Sequence, residues 1–267
     1  MKYVEKYVGG LILLIVIAVS ILPFIYMLIM SFKDTLSAYN FNLDRLTPEN
    51  YVKIFHTAEF GRYFFNSAFV ALAGVVLAVV VSCLAGYAFA KLKFPGNDLI
   101  FFLLIMTLII PSEVIIVPLY LIMKNLDWLN TYQALILPLP TALGTFILRQ
   151  AILAVPNELL DAAKIEGCSN TRILWKIIIP LIKPSILTLS IFTFVGAWNN
   201  FLWPLVVSTE SEMMTLPLIL STTKTQFEPN IGLTMACAAV NFLPPFIFYI
   251  LLQSKFKEGV VLTGMKG

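Results

Sequence analysis

Charged residues cut the chain into long apolar stretches. Residues 7–32, 63–90, 128–148, 184–209 and 229–254 contain no Asp, Glu, Lys or Arg, and a sixth stretch, 99–123, is broken only by Glu113. Each reaches the roughly 18–20 residues needed to cross hydrocarbon as a helix. In lipid every backbone N–H and C=O needs an internal partner, and these runs lack the two-residue alternation of a barrel strand, so the spanning element is a helix. The pattern predicts an all-α polytopic membrane protein, a single transmembrane domain over residues 1–267. Its six spans are expected at about 8–32, 64–90, 99–123, 131–149, 184–208 and 231–254. The first run follows Lys2 and Lys6, is too long for a signal-peptide core and has no clear small-residue cleavage site, so it reads as an anchor.

Composition agrees. Of 267 residues, 59% are apolar and 12% charged, and the mean hydropathy is +0.89. A soluble domain carries roughly 45–50% apolar and about 25% charged residues, so this chain lacks the polar surface to cover itself with water.

The basic residues orient the spans. With both termini inside, the inner segments hold 12 of the 18 Lys and Arg residues, and the outer ones hold Lys33, Arg45, Lys53, Arg62, Lys124 and Lys224. Cytoplasmic loops carry the excess of Lys and Arg, so both ends are expected in the cytoplasm. The longest inner segment, 150–183, then joins the fourth and fifth spans. Segments 33–62 and 210–228 fall outside.

Several chemistries are disfavoured. A net charge of +3, dispersed along the chain, gives no nucleic-acid footprint. Cys83, Cys168 and Cys237 are odd in number and lack metal-ligand spacing, and His56 stands alone, so neither a metal, a cofactor nor a histidine-based catalytic cluster is expected. No glycine is followed by lysine, which rules out a G-x-x-x-x-G-K-[ST] phosphate loop in this chain. The chain is not expected to be an enzyme.

The inner segment carries a helix pattern. Residues 156–167 read Pro-Asn-Glu-Leu-Leu-Asp-Ala-Ala-Lys-Ile-Glu-Gly. Pro156 suits a first turn, Glu158 and Asp161 sit near the positive N-terminus, and Gly167 is a natural stop. Leu159, Ala162, Ala163 and Glu166 follow the spacing of one face, where small residues admit another backbone. A second helical stretch is expected from Thr171 to Ile179, ended by Pro180 and Pro184. Pattern alone leaves two readings, a pair of helices on the inner leaflet or a docking element for another protein.

Asp161-Ala162-Ala163, three residues, Gly167, nine residues and Ile177-Ile178-Ile179-Pro180 resemble the E-A-A-x3-G-x9-I-x-L-P loop signature of ABC importer permeases, with Asp161 for the usual Glu and Ile179 for the usual Leu. Further stretches resemble the carbohydrate-uptake branch, with its maltose-type and glycerol-phosphate-type inner-membrane permeases. They are Tyr87 to Gly96, Ile110-Pro111 through Pro118-Leu119-Tyr120, Trp198 to Leu205, and the tail from residue 259 onward.

The resemblance implies a type I importer permease fold with six transmembrane helices and a cytoplasmic coupling helix at 158–168. That helix would seat in a cleft of a separate ATPase, with Glu158, Asp161, Ala162, Ala163, Gly167, Ile177 and Pro180 as the coupling residues. The implied partners are a second, homologous permease, two copies of the ATPase, an extracytoplasmic binding protein and a carbohydrate-like solute, in the inner membrane of a prokaryote.

Two places offer a solute path. Glu113, between Pro111 and Pro118, is the one acid within a span, and such a charge faces protein or water rather than lipid; pairing near the outer interface is its alternative role. Trp198, Asn199, Asn200 and Trp203 join amides suited to hydroxyls with flat aromatic faces suited to sugar rings. Tryptophans also sit in interfacial belts and asparagines bond neighbouring helices, the reading that fits Asn66 and Asn241. The rival function is an autonomous ion-coupled secondary transporter, which calls for more intramembrane acids or for broken helices in corresponding halves.

Overall fold

The computed structural model describes the backbone of residues 2–33, 46–56, 59–226 and 230–263, and the side chains of 7–33, 46–56, 59–221 and 230–253. Residues 34–45 of the first outer segment and 264–267 of the tail lie outside them.

Apart from an isolated bridge between Lys33 and Leu46, regular structure among the described residues is helical. In chain order the helices are α1 (Lys2–Ser31), α2 (Glu49–Phe55), α3 (Phe60–Lys91), α4 (Asn97–Met106), α5 (Ser112–Asn125), α6 (Tyr132–Ile136) and α7 (Ala142–Leu153). Then come α8 (Asn157–Ile165), α9 (Asn170–Ile173), a π-helical turn over Leu174–Ile178, α10 (Ile179–Leu181), α11 (Lys183–Trp198), α12 (Leu202–Val207), α13 (Leu216–Gln226) and α14 (Ile231–Thr263).

Three of the six apolar runs coincide with continuous helices. Tyr7–Ser31 in α1, Phe60–Lys91 in α3 and Ile231–Gln253 in α14 are each long and apolar enough to cross a membrane. The other three predicted runs are broken. The 99–123 run bends by 107° between α4 and α5, at Pro111, which has no N–H to continue the helix. The 131–149 run splits into α6 and α7 around Pro138 and Pro140. The 184–208 run ends α11 at Trp198 and resumes as the short α12. The expected helix from Thr171 to Ile179 is not stopped by Pro180. The π-turn precedes that proline, α10 contains it, and the 81° bend falls just beyond it, before Lys183.

The chain forms two compact units, Met1–Gly61 with Ile219–Pro244, and Arg62–Leu218 with Pro245–Gly267. In the first, Asn50 donates from Nδ2 to the carbonyls of Ser31 (3.0 Å) and Lys33 (2.8 Å), tying α2 to the end of α1. Gly232 at the start of α14 lies against the Lys33 carbonyl and the Asn50 amide, where a Cβ would not fit.

The second unit is organised by α3. Gly74, Ala78, Ser82 and Gly86 recur every four residues along one buried face, and this flat stripe brings α7 close. A Cβ on Gly86 would lie 3.0 Å from the Arg149 amide nitrogen, and Gly144 of α7 faces Ser82. Apolar side chains gather at both ends of the helix pair. One cluster joins Cys83 and Tyr87 of α3 to Leu148 and Ile152 of α7, Leu160 and Ala163 of α8, Ile173, Ile178 and Leu189. The other joins Val70 of α3 to Met123, Leu135, Trp203 and Val207. Asn66 serves the second end as the helix-packing reading expects. It is 1% exposed, donates to the Glu212 and Met214 carbonyls (both 2.9 Å), and accepts from the Tyr132 hydroxyl at 2.7 Å.

Overpacking a close helix contact costs about 1–3 kcal/mol. Gly86→Val should therefore lower the thermal unfolding midpoint of the detergent-solubilised protein by several degrees. Gly196→Ala in α11, where nothing lies within 4 Å of the added Cβ, should hold or slightly raise it. Equal midpoints for the two variants would contradict the backbone approach at Gly86.

Candidate functional site

The three helix interruptions meet. A cavity of about 520 Å³ is lined by Ser112 and Glu113 from the α4–α5 bend, Pro138 and Leu139 from the α6–α7 break, and Asn199, Asn200 and Phe201 from the α11–α12 break. Gly196, Trp203 and the α5 side chains Ile115, Ile116 and Leu119 complete much of the wall. Irregular backbone at membrane depth is tolerated where it is buried in protein or lines a water-filled cavity, because only there do the freed polar groups find partners.

Local bonds satisfy part of each break. The Ile110 N–H reaches the Thr107 carbonyl (3.2 Å) and the Leu139 N–H reaches the Ile136 carbonyl (3.1 Å). Asn200 Oδ1 accepts from the Trp203 amide at 3.3 Å, so this side chain restarts the helix as α12. The Trp203 indole then donates from Nε1 to the Ala134 carbonyl (2.8 Å), a buried bond that fastens α12 to α6.

Of the five residues singled out for a solute path, Glu113, Asn199, Asn200 and Trp203 come together on this wall. Trp198 does not. It is 1% exposed and packs face-on against Phe194 (5.8 Å) and edge-on against Phe64 (5.7 Å), so it belongs to the core. Glu113 is exposed in the first turn of α5, with Ser112 Oγ 3.2 Å from its carboxylate. It is the one charged side chain among the lining residues. Ser112, Pro138, Leu139 and Gly196 are wall residues that the sequence reading passed over. The Pro138-Leu139-Pro140 pair of prolines inside a charge-free run was the available signal.

The second site is α8. Its C-terminus closes as a Schellman motif. The Gly167 N–H reaches the Lys164 carbonyl and the Cys168 N–H reaches the Ala163 carbonyl, both at 2.9 Å, with Gly167 at φ +79°. The helix lies inner side down. Leu160 is 3% and Ala163 7% exposed, whereas Leu159, Asp161, Ala162, Ile165 and Glu166 face out, Ile165 at 88%. This corrects the placing of Ala163 on the face offered to a partner. Its methyl group packs into the chain's own core, because residues 160 and 163 are the i, i+3 pair that meets α7 and the residues of the π-turn. Ile177 is partly buried against that core and Pro180 is exposed. Glu158 is exposed, and Asp161 pairs with Lys164 at 3.3 Å.

Beside α8, a cleft of about 390 Å³ is lined by Lys91, Lys93 and Asp98 together with Asn157, Asp161 and Lys164. Lys91 ends α3 and donates to the Val155 carbonyl (2.7 Å) and to Asn157 Oδ1 (2.8 Å).

The family described as binding-protein-dependent transport system inner membrane component matches residues 78–258. The arabinooligosaccharides transport system permease protein AraQ of Halalkalibacterium halodurans is 35% identical over 257 residues, covering 93% of this chain and 92% of that one. The sn-glycerol-3-phosphate transport system permease protein UgpE of Yersinia enterocolitica is 35% identical over 211 residues, covering 77% and 74%. Among solved structures, a bacterial ABC transporter involved in the import of the acidic polysaccharide alginate superposes with a TM-score of 0.82 at 20% identity, covering 96% of this chain and 97% of that one. At that identity the likeness concerns the fold.

A side chain at a left-handed position costs about 1 kcal/mol. Gly167→Ala, with open space around the new methyl group, should therefore speed hydrogen exchange at the Cys168 amide roughly fivefold. Unchanged exchange would contradict the Schellman closure.

Proposed function

This chain belongs to the family of binding-protein-dependent transport system inner membrane components, and from that premise we propose that it forms one wall of the solute path in an ATP-driven importer of carbohydrate. The observation that carries the reading is the meeting of three helix interruptions at one cavity, to which they bring Ser112, Glu113, Asn199 and Asn200 amid a largely apolar wall.

In this reading the chain crosses the membrane six times, α4–α5, α6–α7 and α11–α12 each counting as one crossing beside α1, α3 and α14, with both termini and the 150–183 segment in the cytoplasm. Twelve of eighteen basic residues on that side support the orientation. The chain has no glycine followed by lysine, so hydrolysis falls to two ATPase copies on the cytoplasmic face. A second, homologous permease supplies the opposite wall, and an extracytoplasmic binding protein delivers the solute. The ATPase receives the outward face of α8: Leu159, Ala162 and Ile165 supply apolar contact, Glu158 and Asp161 supply charge-assisted acceptors, and Gly167 sets the angle at which the chain leaves.

The relatives' names differ over solute charge, one being an arabinooligosaccharide permease and another an sn-glycerol-3-phosphate permease. The wall here carries one carboxylate, two amides and a hydroxyl, with no Lys or Arg among its lining residues. A phosphate or uronate would meet Glu113 without a compensating cation, whereas sugar hydroxyls can donate to the carboxylate and pair with the amides. The chemistry favours an uncharged oligosaccharide. An ion-driven carrier is not favoured: Glu113 is the one acid in the wall, and the family match is to binding-protein-dependent systems.

Two outcomes follow. Leu159→Glu combined with Ile165→Glu should leave membrane insertion intact but reduce ATPase co-purification at least tenfold; retention of the ATPase would remove α8 as the docking element. In vesicles holding the full importer, a neutral pentose oligosaccharide should be taken up well ahead of its uronate analogue, and Glu113→Gln should narrow that gap. Equal uptake of both by the unmodified importer would overturn the neutral-solute reading.

A further inference from the structure

Two side chains one turn apart on α3 bracket α8. At the front, Lys91 Nζ donates to the Val155 carbonyl (2.7 Å), the last residue before Pro156, and to Oδ1 of Asn157 (2.8 Å), the first residue of α8. At the rear, the hydroxyl of buried Tyr87 donates to Oδ1 of Asn170 (3.2 Å), the first residue of α9. Between these two ties the inner face of α8, Leu160 and Ala163, rests on the same core as Tyr87.

This arrangement is more than packing. Apolar contacts alone allow a short helix to slide, because the hydrophobic effect is non-directional. A charge-assisted bond in a partly buried site is directional, and breaking it leaves a costly unsatisfied group. With one such tie at its front and a hydroxyl tie at its rear, α8 cannot shift along or across α3 without losing one of them.

Followed back from Tyr87, α3 leads to the cavity. Gly74, which precedes Tyr87 by between three and four turns of the same helix, lies directly against Leu139, a wall residue of the cavity. Further along, Asn66 and Val70 hold the α6 and α12 end.

We infer that Tyr87 and Lys91 are positioning residues for coupling: they bind α8 to α3 so that a displacement of α8 is delivered to α3, and through the Gly74–Leu139 contact to the cavity wall. This rests on the reading of α8 as the ATPase-docking helix. Lys91 acts as a donor pair to a carbonyl and an amide, so arginine can replace it and methionine cannot.

The test uses the full importer in vesicles, with Gly196→Cys as a reporter on the cavity wall and Cys168→Ser to lower background. The rate of labelling by a water-soluble maleimide is read with and without ATP, alongside ATP hydrolysis. The parent should show an ATP-dependent change of at least fivefold. With Lys91→Met and Tyr87→Phe together, hydrolysis and ATPase co-purification should persist while that change falls below twofold, and Lys91→Arg alone should keep it. If the double variant does not accumulate, Lys91→Met alone, expected to lose at least half of the change, carries the test.

A full ATP-dependent change in these variants would overturn the inference. So would loss of ATPase co-purification, since the two residues would then seat α8 rather than transmit its motion. No change in the parent would instead count against the solute-path reading.

Discussion

The backbone of a membrane-embedded chain has nowhere to place an unpaired N–H or C=O except against protein or water. That constraint governs this fold. Three of the six apolar runs are interrupted, at Pro111, at Pro138 to Pro140, and at Asn199 to Phe201, and residues from all three line one cavity. The groups freed at the breaks are met from within: Asn200 takes the Trp203 amide, and the Trp203 indole takes the Ala134 carbonyl. The same breaks that would be untenable on a lipid-facing surface bring Ser112, Glu113, Asn199 and Asn200 to the cavity wall.

At the other end of α3 the problem is mechanical. The outward face of α8 keeps Ile165 and Leu159 exposed, while its inner face is seated in a core with α3 and α7. A short helix held only by its inner face could rock without consequence. The ties from Lys91 and Tyr87 and the small-residue stripe that locks α3 to α7 make α8, α3 and α7 a connected body that reaches the cavity wall. The π-turn and the 81° bend after it mark where that body meets α11.

Much of this was legible in the residues. Charge-free gaps located the apolar segments, because transfer of a charge into hydrocarbon is costly whatever the fold. The loop signature and Gly167 marked α8, because a left-handed position favours glycine. Glu113 and the stretch holding Asn199, Asn200 and Trp203 stand out separately for their chemistry, 86 residues apart from Glu113 to Asn199, and their meeting depends on how the helices bend and pack. What escaped was direction. Leu159 and Leu160, or Ala162 and Ala163, look alike in sequence, and only the packing of neighbours decides which member turns inward. Trp198 and Trp203 pose the same problem: one stacks on Phe194, and the other bonds Ala134 beside the cavity.

On this account the three breaks face a common aqueous space rather than lipid. Single cysteines at Ser112, Leu139 and Asn199 can be compared with controls at Leu14 and Leu103, on apolar helical surface, using a membrane-impermeant maleimide on the assembled importer in vesicles. Reaction at all three break positions, with protection at both controls, is the predicted result. Protection at the breaks equal to that at the controls would contradict it.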